Sequence, residues 1–249
     1  MAGHSKWKNI QRRKNAQDAK RGKVFMKLAK EIFVAAKQGG GDPETNPSLR
    51  LAIDKAKSSN MPNDNIDRAI KKATGDLDGV QYENVTYEGY GPGGAAIMVQ
   101  LLTDNKNRAA ADVRHAFSKN RGNMGENGCV SFLFNRKGLL IIDRSENELD
   151  GEDLMLQVIE AGAEEMETTK ETYEIYTNPQ DFQDVKQHLE ANGLTFSSAE
   201  ITMIPETYTP LEDKDGIGMV RLIDQLEDND DVQEVYHNAE INDEVYEQL

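Results

Sequence analysis

Residues 138–204, GLLIIDRSENELDGEDLMLQVIEAGAEEMETTKETYEIYTNPQDFQDVKQHLEANGLTFSSAEITMI, decide the fold. The apolar run at 139–143 reads as a buried strand. The next pattern, at 150–161, has helical period and carries Leu154, Val158 and Ile159. Strands at 164–168 and 172–177 follow, then a helix at 180–191 built on Phe182, Val185 and Leu189. A strand near 196–204 closes the set. The order is β-α-β-β-α-β, that of a ferredoxin-like domain.

On the N-terminal side, 81–90 and 94–103 are two extended runs around the turn Gly89–Gly94, and 106–119 is a helix with Ala109, Val113, Ala116 and Phe117 on one side. A glycine-rich loop at 122–128 leads to an expected strand at 129–134. Beyond Pro205 come one more helix (Met219, Leu222, Ile223, Leu226) and one more strand, 232–237. These would complete a second α/β sheet, so the ferredoxin-like unit, 137–204, is expected to interrupt a domain formed by 78–136 plus 205–249.

Residues 1–77 carry no strand pattern. Phe25, Leu28, Ala29, Ile32 and Ala36 mark a helix at 18–38, ended by Gly39-Gly40-Gly41. Asn46-Pro47 supplies an N-cap and a proline at the first helical position, followed by Leu49, Ala52, Ile53 and Ala56. A third helix uses Ile66, Ala69, Ile70 and Ala73 after the break at Met61-Pro62. The fold class expected is α+β: an N-terminal three-helix domain followed by two α/β domains, one ferredoxin-like and inserted into the other. Hydrophobic residues make up 37% and aromatics 6% of the 249 residues, which suits several small cores better than one large one.

Charge is strongly segregated. The chain's net charge is −15, yet residues 1–75 hold 17 Lys/Arg and 7 Asp/Glu, whereas 76–249 hold 12 and 37. A +10 module on a −25 body offers a polyanion one place to dock. In the first thirty residues the basic side chains are Lys6, Lys8, Arg12, Arg13, Lys14, Lys20, Arg21, Lys23, Lys27 and Lys30, against the single acid Asp18. Placed on a helix, Lys20, Lys23, Lys27, Lys30 and Lys37 fall opposite the apolar stripe. A lysine row is ordinarily a solvated face, but a row placed for solubility would be expected to have acids at i,i+4. Contact with a phosphate backbone is therefore expected. Trp7 lies between Lys6 and Lys8, able to stack on a base or to pack on the helices. In the acidic body, Arg114, Lys119 and Arg121 form a smaller basic cluster, a candidate second contact.

Nothing in the sequence marks catalysis. The four histidines are scattered, without H-E-x-x-H. Cys129 is the only cysteine, in an apolar stretch, which fits a small buried hydrophobe. Neither glycine-rich loop matches G-x-x-x-x-G-K-[ST], and both read as turns needing positive φ. The acids at 227–231 lack the glycine and terminal glutamate of an EF-hand loop and read as a charged turn between helix and strand. No cofactor, metal, small-molecule substrate or membrane span is indicated, and a cytoplasmic location is the expectation.

Three stretches carry a resemblance. GHSKWKNIQRRKNAQDAKRGK at 3–23, YEGYGPGG at 87–94 and NMGENGCVSFLFNRKG at 123–138 closely resemble the YebC/PmpR family. The resemblance implies three domains, no enzymatic activity and a cytoplasmic bacterial protein, its first motif starting at residue 3 with no room for the presequence of mitochondrial relatives. It also implies one of two roles: a transcriptional regulator binding promoter DNA, or a translation factor acting on stalled ribosomes through ribosomal RNA.

Overall fold

The computed structural model describes residues 21–75, 81–145, 150–242 and 245. Its N-terminal part is three helices, α1 (Arg21–Gly39), α2 (Pro47–Ser58) and α3 (Asn63–Gly75). Leu28, Ile32, Phe33 and Ala36 of α1 pack with Leu49, Ile53 and Ala56 of α2 and Ile66, Ala69 and Ala73 of α3. One side chain organises two of these helix ends. Asn46 Oδ1 accepts from Leu49 N at 3.1 Å, capping α2. Its Nδ2 donates to Ala35 O and Gly40 O at 2.8 and 2.9 Å, satisfying carbonyls at the end of α1.

The first sheet has the order β3-β1-β2-β9 and is antiparallel throughout. Its strands are β1 (Glu83–Tyr90), β2 (Ala96–Thr103), β3 (Asn123–Met124) and β9 (Val232–His237). Between β1 and β2 the chain turns through Gly93 and Gly94, at φ +66° and +77°. A Cβ on Gly93 would come within 2.3 Å of Leu211, so space and backbone both demand glycine there. β2 is nearly all buried because both its faces are covered. Ile97, Val99 and Leu101 face α4 (Lys106–Lys119) and α7 (Asp213–Glu227), meeting Val113, Phe117, Met219 and Leu222. Ala96 and Met98 on the other face meet Val130 and Phe134.

The second sheet runs β5-β6-β4-β7. Its strands are β4 (Phe134–Asp143), β5 (Glu165–Thr168), β6 (Thr172–Thr177) and β7 (Ser198–Pro205), with α5 (Gly151–Glu160) and α6 (Phe182–Ala191) between them. In local numbering that is strand order 2-3-1-4, the ferredoxin-like arrangement. Leu140, Ile142 and Ile175 pack beneath Leu154, Val158, Val185 and Leu189 of the two helices.

One local expectation is corrected. The strand expected at 129–134 is instead a loop ending in a 3₁₀ turn, Ser131–Leu133, and β4 starts at Phe134. The cause is Glu88, whose carboxylate accepts from Gly128 N, Val130 N and Ser131 N at 2.8–2.9 Å. Amides held by a carboxylate are not available to a sheet ladder. The short parallel pair β8 (Thr209–Leu211) and β10 (Ala239–Ile241) has too few residues to show a period.

Candidate nucleic-acid interface

Lys23, Lys27 and Lys30 lie at i, i+4 and i+7 on α1, opposite its buried stripe. They are not an open row. The turn that follows α7, residues 227–231, lies against them. Lys23 Nζ donates to Asp228 Oδ1 at 2.8 Å and to Asp228 O at 3.1 Å. Lys27 Nζ donates to Glu227 O at 2.6 Å. Lys30 Nζ reaches Asp230 O and Asp231 Oδ1, both at 2.9 Å. The turn expected to be only a charged connection is thus the counter-charge of the lysine row. It also ends a helix, whose unpaired carbonyls and dipole favour cations there.

The electrostatics follow from burial and pairing. Burial lowers the Lys27 pKa below the ordinary lysine value, outweighing the attraction of Glu227, Glu234 and Asp230. The hydrogen bond to Asp228 raises that of Lys23. Burial opposes the charge of Asp231, but hydrogen bonds from Arg108, Lys30 and Thr103 prevail and hold its pKa below the usual aspartate value. Arg108 joins Asp231 Oδ2 at 2.6 Å and Asp104 at 2.7 Å, and Thr103 Oγ1 donates to Asp231 at 2.9 Å. Between α1 and the body lies a cleft of about 430 Å³ bordered by Lys27, Lys30, Tyr82, Arg108 and Asp230.

A fourth lysine, not singled out from the sequence, makes a similar crossing. Lys55 of α2 bonds to Glu31 Oε1 and Glu234 Oε1, both at 2.9 Å. Its signal was an acidic body facing a basic module, but which lysine would meet which acid depends on the docking of the two parts.

Of the other sequence candidates, Lys6, Trp7, Lys8, Arg12, Arg13, Lys14 and Lys20 lie outside the described residues. Arg21 opens α1. Arg114 and Lys119 are exposed on α4. Arg121 is drawn to the start of α7, donating to Lys214 O at 2.7 Å with Asp215 at 3.4 Å, and its backbone takes φ +62°. The structure therefore separates Arg121 in role from the other two. Cys129 is half-buried; burial and then the nearby Glu88 carboxylate raise its thiol pKa, which disfavours a thiolate. Among the described residues no group of His, Cys, Asp and Glu is arranged to hold a metal ion, and no helix is long and apolar enough to cross a membrane.

A basic three-helix module joined by ion pairs to an acidic pair of sheets defines the class: an α+β protein whose distinguishing feature is segregated charge. The chain belongs to the TACO1/YebC family. Residues 5–76 match the TACO1/YebC protein N-terminal domain, and residues 82–239 match the TACO1/YebC second and third domain. It is 70% identical to a probable transcriptional regulatory protein of Geobacillus sp. (strain WCH70) over 240 residues, covering 96% of this chain and 98% of the relative. It is 62% identical to the probable transcriptional regulatory protein YrbC of Bacillus subtilis (strain 168), over 96% of this chain and 99% of that one. Among solved structures, the crystal structure of the conserved hypothetical protein Aq1575 from Aquifex aeolicus superposes with a TM-score of 0.78 at 46% identity, covering 91% of this chain and 93% of that one.

Proposed function

We propose that this protein is a non-enzymatic, cytoplasmic nucleic-acid-binding regulator of gene expression, a transcriptional regulator acting on promoter DNA. The observation that carries the reading is the alignment of Lys23, Lys27 and Lys30, each of which holds oxygen atoms of an acidic turn at 2.6–3.1 Å. Ammonium groups arranged to grip carboxylate and carbonyl oxygens are equally suited to phosphate oxygens. Lys6, Lys8, Arg12, Arg13, Lys14 and Lys20 of the preceding sequence, and Arg21 at the start of α1, add to that cationic supply, and Trp7 offers a ring for stacking. Arg114 and Lys119 provide a second contact on the body. The names of the Geobacillus and Bacillus relatives support the regulatory role.

One observation favours ribosomal RNA over duplex DNA as the target, and with it a role in translation at the ribosome. The exposed residues of α3 include Asp64 and Asp67 in its first turns, beside Arg68, Lys71 and Lys72. A helix entering the major groove makes its base contacts with that end, and carboxylates there oppose the phosphates. Cross-linking the protein to nucleic acid in cells and sequencing what is attached tests both readings. Enrichment of promoter DNA supports transcription, enrichment of ribosomal RNA supports translation, and no enrichment of either overturns the proposal.

A further inference from the structure

We propose that the acidic turn at residues 227–231 is an internal competitor for the lysine face of α1, so that a polyanion binds there only when the helical module parts from the body. The inference rests on the reading of that face as a phosphate-binding surface. Lys23, Lys27 and Lys30 span about 10 Å along the helix at 1.5 Å per residue, roughly the axial rise of three nucleotides at 3.4 Å each. Over that length the turn supplies three backbone carbonyls and the carboxylates of Asp228 and Asp231. Each lysine takes a carbonyl oxygen, and two of the three take a carboxylate as well. A phosphate backbone offers the same kind of oxygen to the same donors, and the two occupants exclude each other.

The contact is also built to open. The apolar core of the helical module is made of residues between Val24 and Ala73, with Tyr82 of the connecting segment at its edge; no residue of either sheet belongs to it. The body's cores are likewise closed on themselves. Parting the two therefore uncovers little apolar surface. What joins them is polar: the three lysines on the turn and Lys55 on Glu234. The Lys23–Asp228 pair is half-exposed, of the kind that is weak and screened by salt, whereas Asp231 and Glu234 are mostly buried acids whose pairs salt screens less. The open cleft beside the turn, with the half-exposed Met26 on its wall, is consistent with docking by charge rather than by packing.

The test compares the full chain with Asp228→Asn/Asp230→Asn. Asp231 is left alone because it also binds Thr103 and Arg108 within the body. A control variant, Glu152→Gln/Asp153→Asn on the distant helix α5, makes the same change in net charge. Two readouts are taken: the distance between spin labels on α2 and α4, and the affinity for a 30-nucleotide RNA and a 30-base-pair DNA over a range of salt. Circular dichroism checks that each variant is folded. The expected result is a longer mean distance and a roughly two- to fivefold gain in affinity for the turn variant, the yield of the one surface ion pair between Lys23 and Asp228 together with the nearby Asp230 charge, with neither change in the control. A longer distance with unchanged affinity overturns the competition while leaving nucleic-acid binding in place. An equal gain in the control overturns it too, by showing that only net charge matters. If neither the parent chain nor the turn variant binds either probe, the nucleic-acid reading fails and the competition with it.

Discussion

Lys55 and Glu234 are 179 residues apart in sequence and 2.9 Å apart in space, Nζ to Oε1. Burial disfavours the Lys55 charge, but Glu234 and Glu31 more than compensate and raise its pKa above the ordinary lysine value. The pair ties α2 to β9, the last strand of the first sheet.

Lys55→Met is expected to leave both carboxylates without their cation. The lysine is partly exposed, so the cost is set near that of a half-screened pair, about 1–2 kcal/mol. For a chain of this size that corresponds to a fall in Tm of a few degrees, readable by calorimetry. Because the folded-state pKa is raised, the stabilisation is present at all pH values below the unfolded lysine's and is lost as pH rises through the folded one. The gap between parent and variant should therefore be flat from pH 6 to 9.

Glu88 behaves in the opposite sense. Burial raises its pKa, but three backbone amides, at Gly128, Val130 and Ser131, outweigh burial and lower it. Its contribution is present above the unfolded glutamate pKa of about 4.3 and is lost as pH falls through the folded value. Glu88→Gln should cost about 2–4 kcal/mol near neutral pH, since an amide replaces a carboxylate that accepts three hydrogen bonds. Denaturant unfolding should show the difference shrinking as the pH falls below about 4.

Asn46→Ala removes one acceptor at the start of α2 and two donors to the end of α1. A lost N-cap alone costs about 1 kcal/mol, and the buried carbonyl of Ala35 adds to it. A total of about 2–3 kcal/mol is expected, with the loss confined to the helical module. Hydrogen exchange on α1 and α2 should rise while the sheets keep their protection.

Replacing Lys23, Lys27 and Lys30 together with alanine is expected to weaken nucleic-acid binding and to reduce the slope of log affinity against log salt by about 3. The apolar stripe of α1 is untouched, so the helix remains. An unchanged slope would remove these lysines from the interface.

Arg114→Ala/Lys119→Ala should lower affinity by roughly three- to tenfold and the salt slope by about 1–2. Both side chains are exposed, so Tm should stay within about 1–2 °C of the parent. Arg121 is kept out of this variant because its guanidinium holds the start of α7.

The helices were legible wherever period and punctuation agreed. The pattern at 106–119 coincides with α4, and Asn46-Pro47 caps α2 as that dipeptide leads one to expect. A strand whose burial runs unbroken was equally plain, as at 172–177. The loop at 125–133 misled because Cys129, Val130 and Phe132 have strand-like composition, whereas a single carboxylate on another strand fixes their amides. The lysine row was legible as a row, and its partner was legible as a cluster of acids. That the two meet was not, since helical phase states which way a side chain points and not what long-range docking places in front of it. The same limit hid Lys55 and Glu234.

The antiparallel pairing of β9 with β2 has a consequence for the order in which the molecule can assemble. During synthesis β2 emerges more than a hundred residues before β9, and in that interval one edge of its sheet has no neighbour. The βαββαβ unit between them can close first, as a domain generally does once its own chain is complete. The acidic turn emerges with α7, directly ahead of β9. A newly made chain therefore passes through a stage in which the lysines of α1 are present and their internal counter-charge has yet to leave the ribosome.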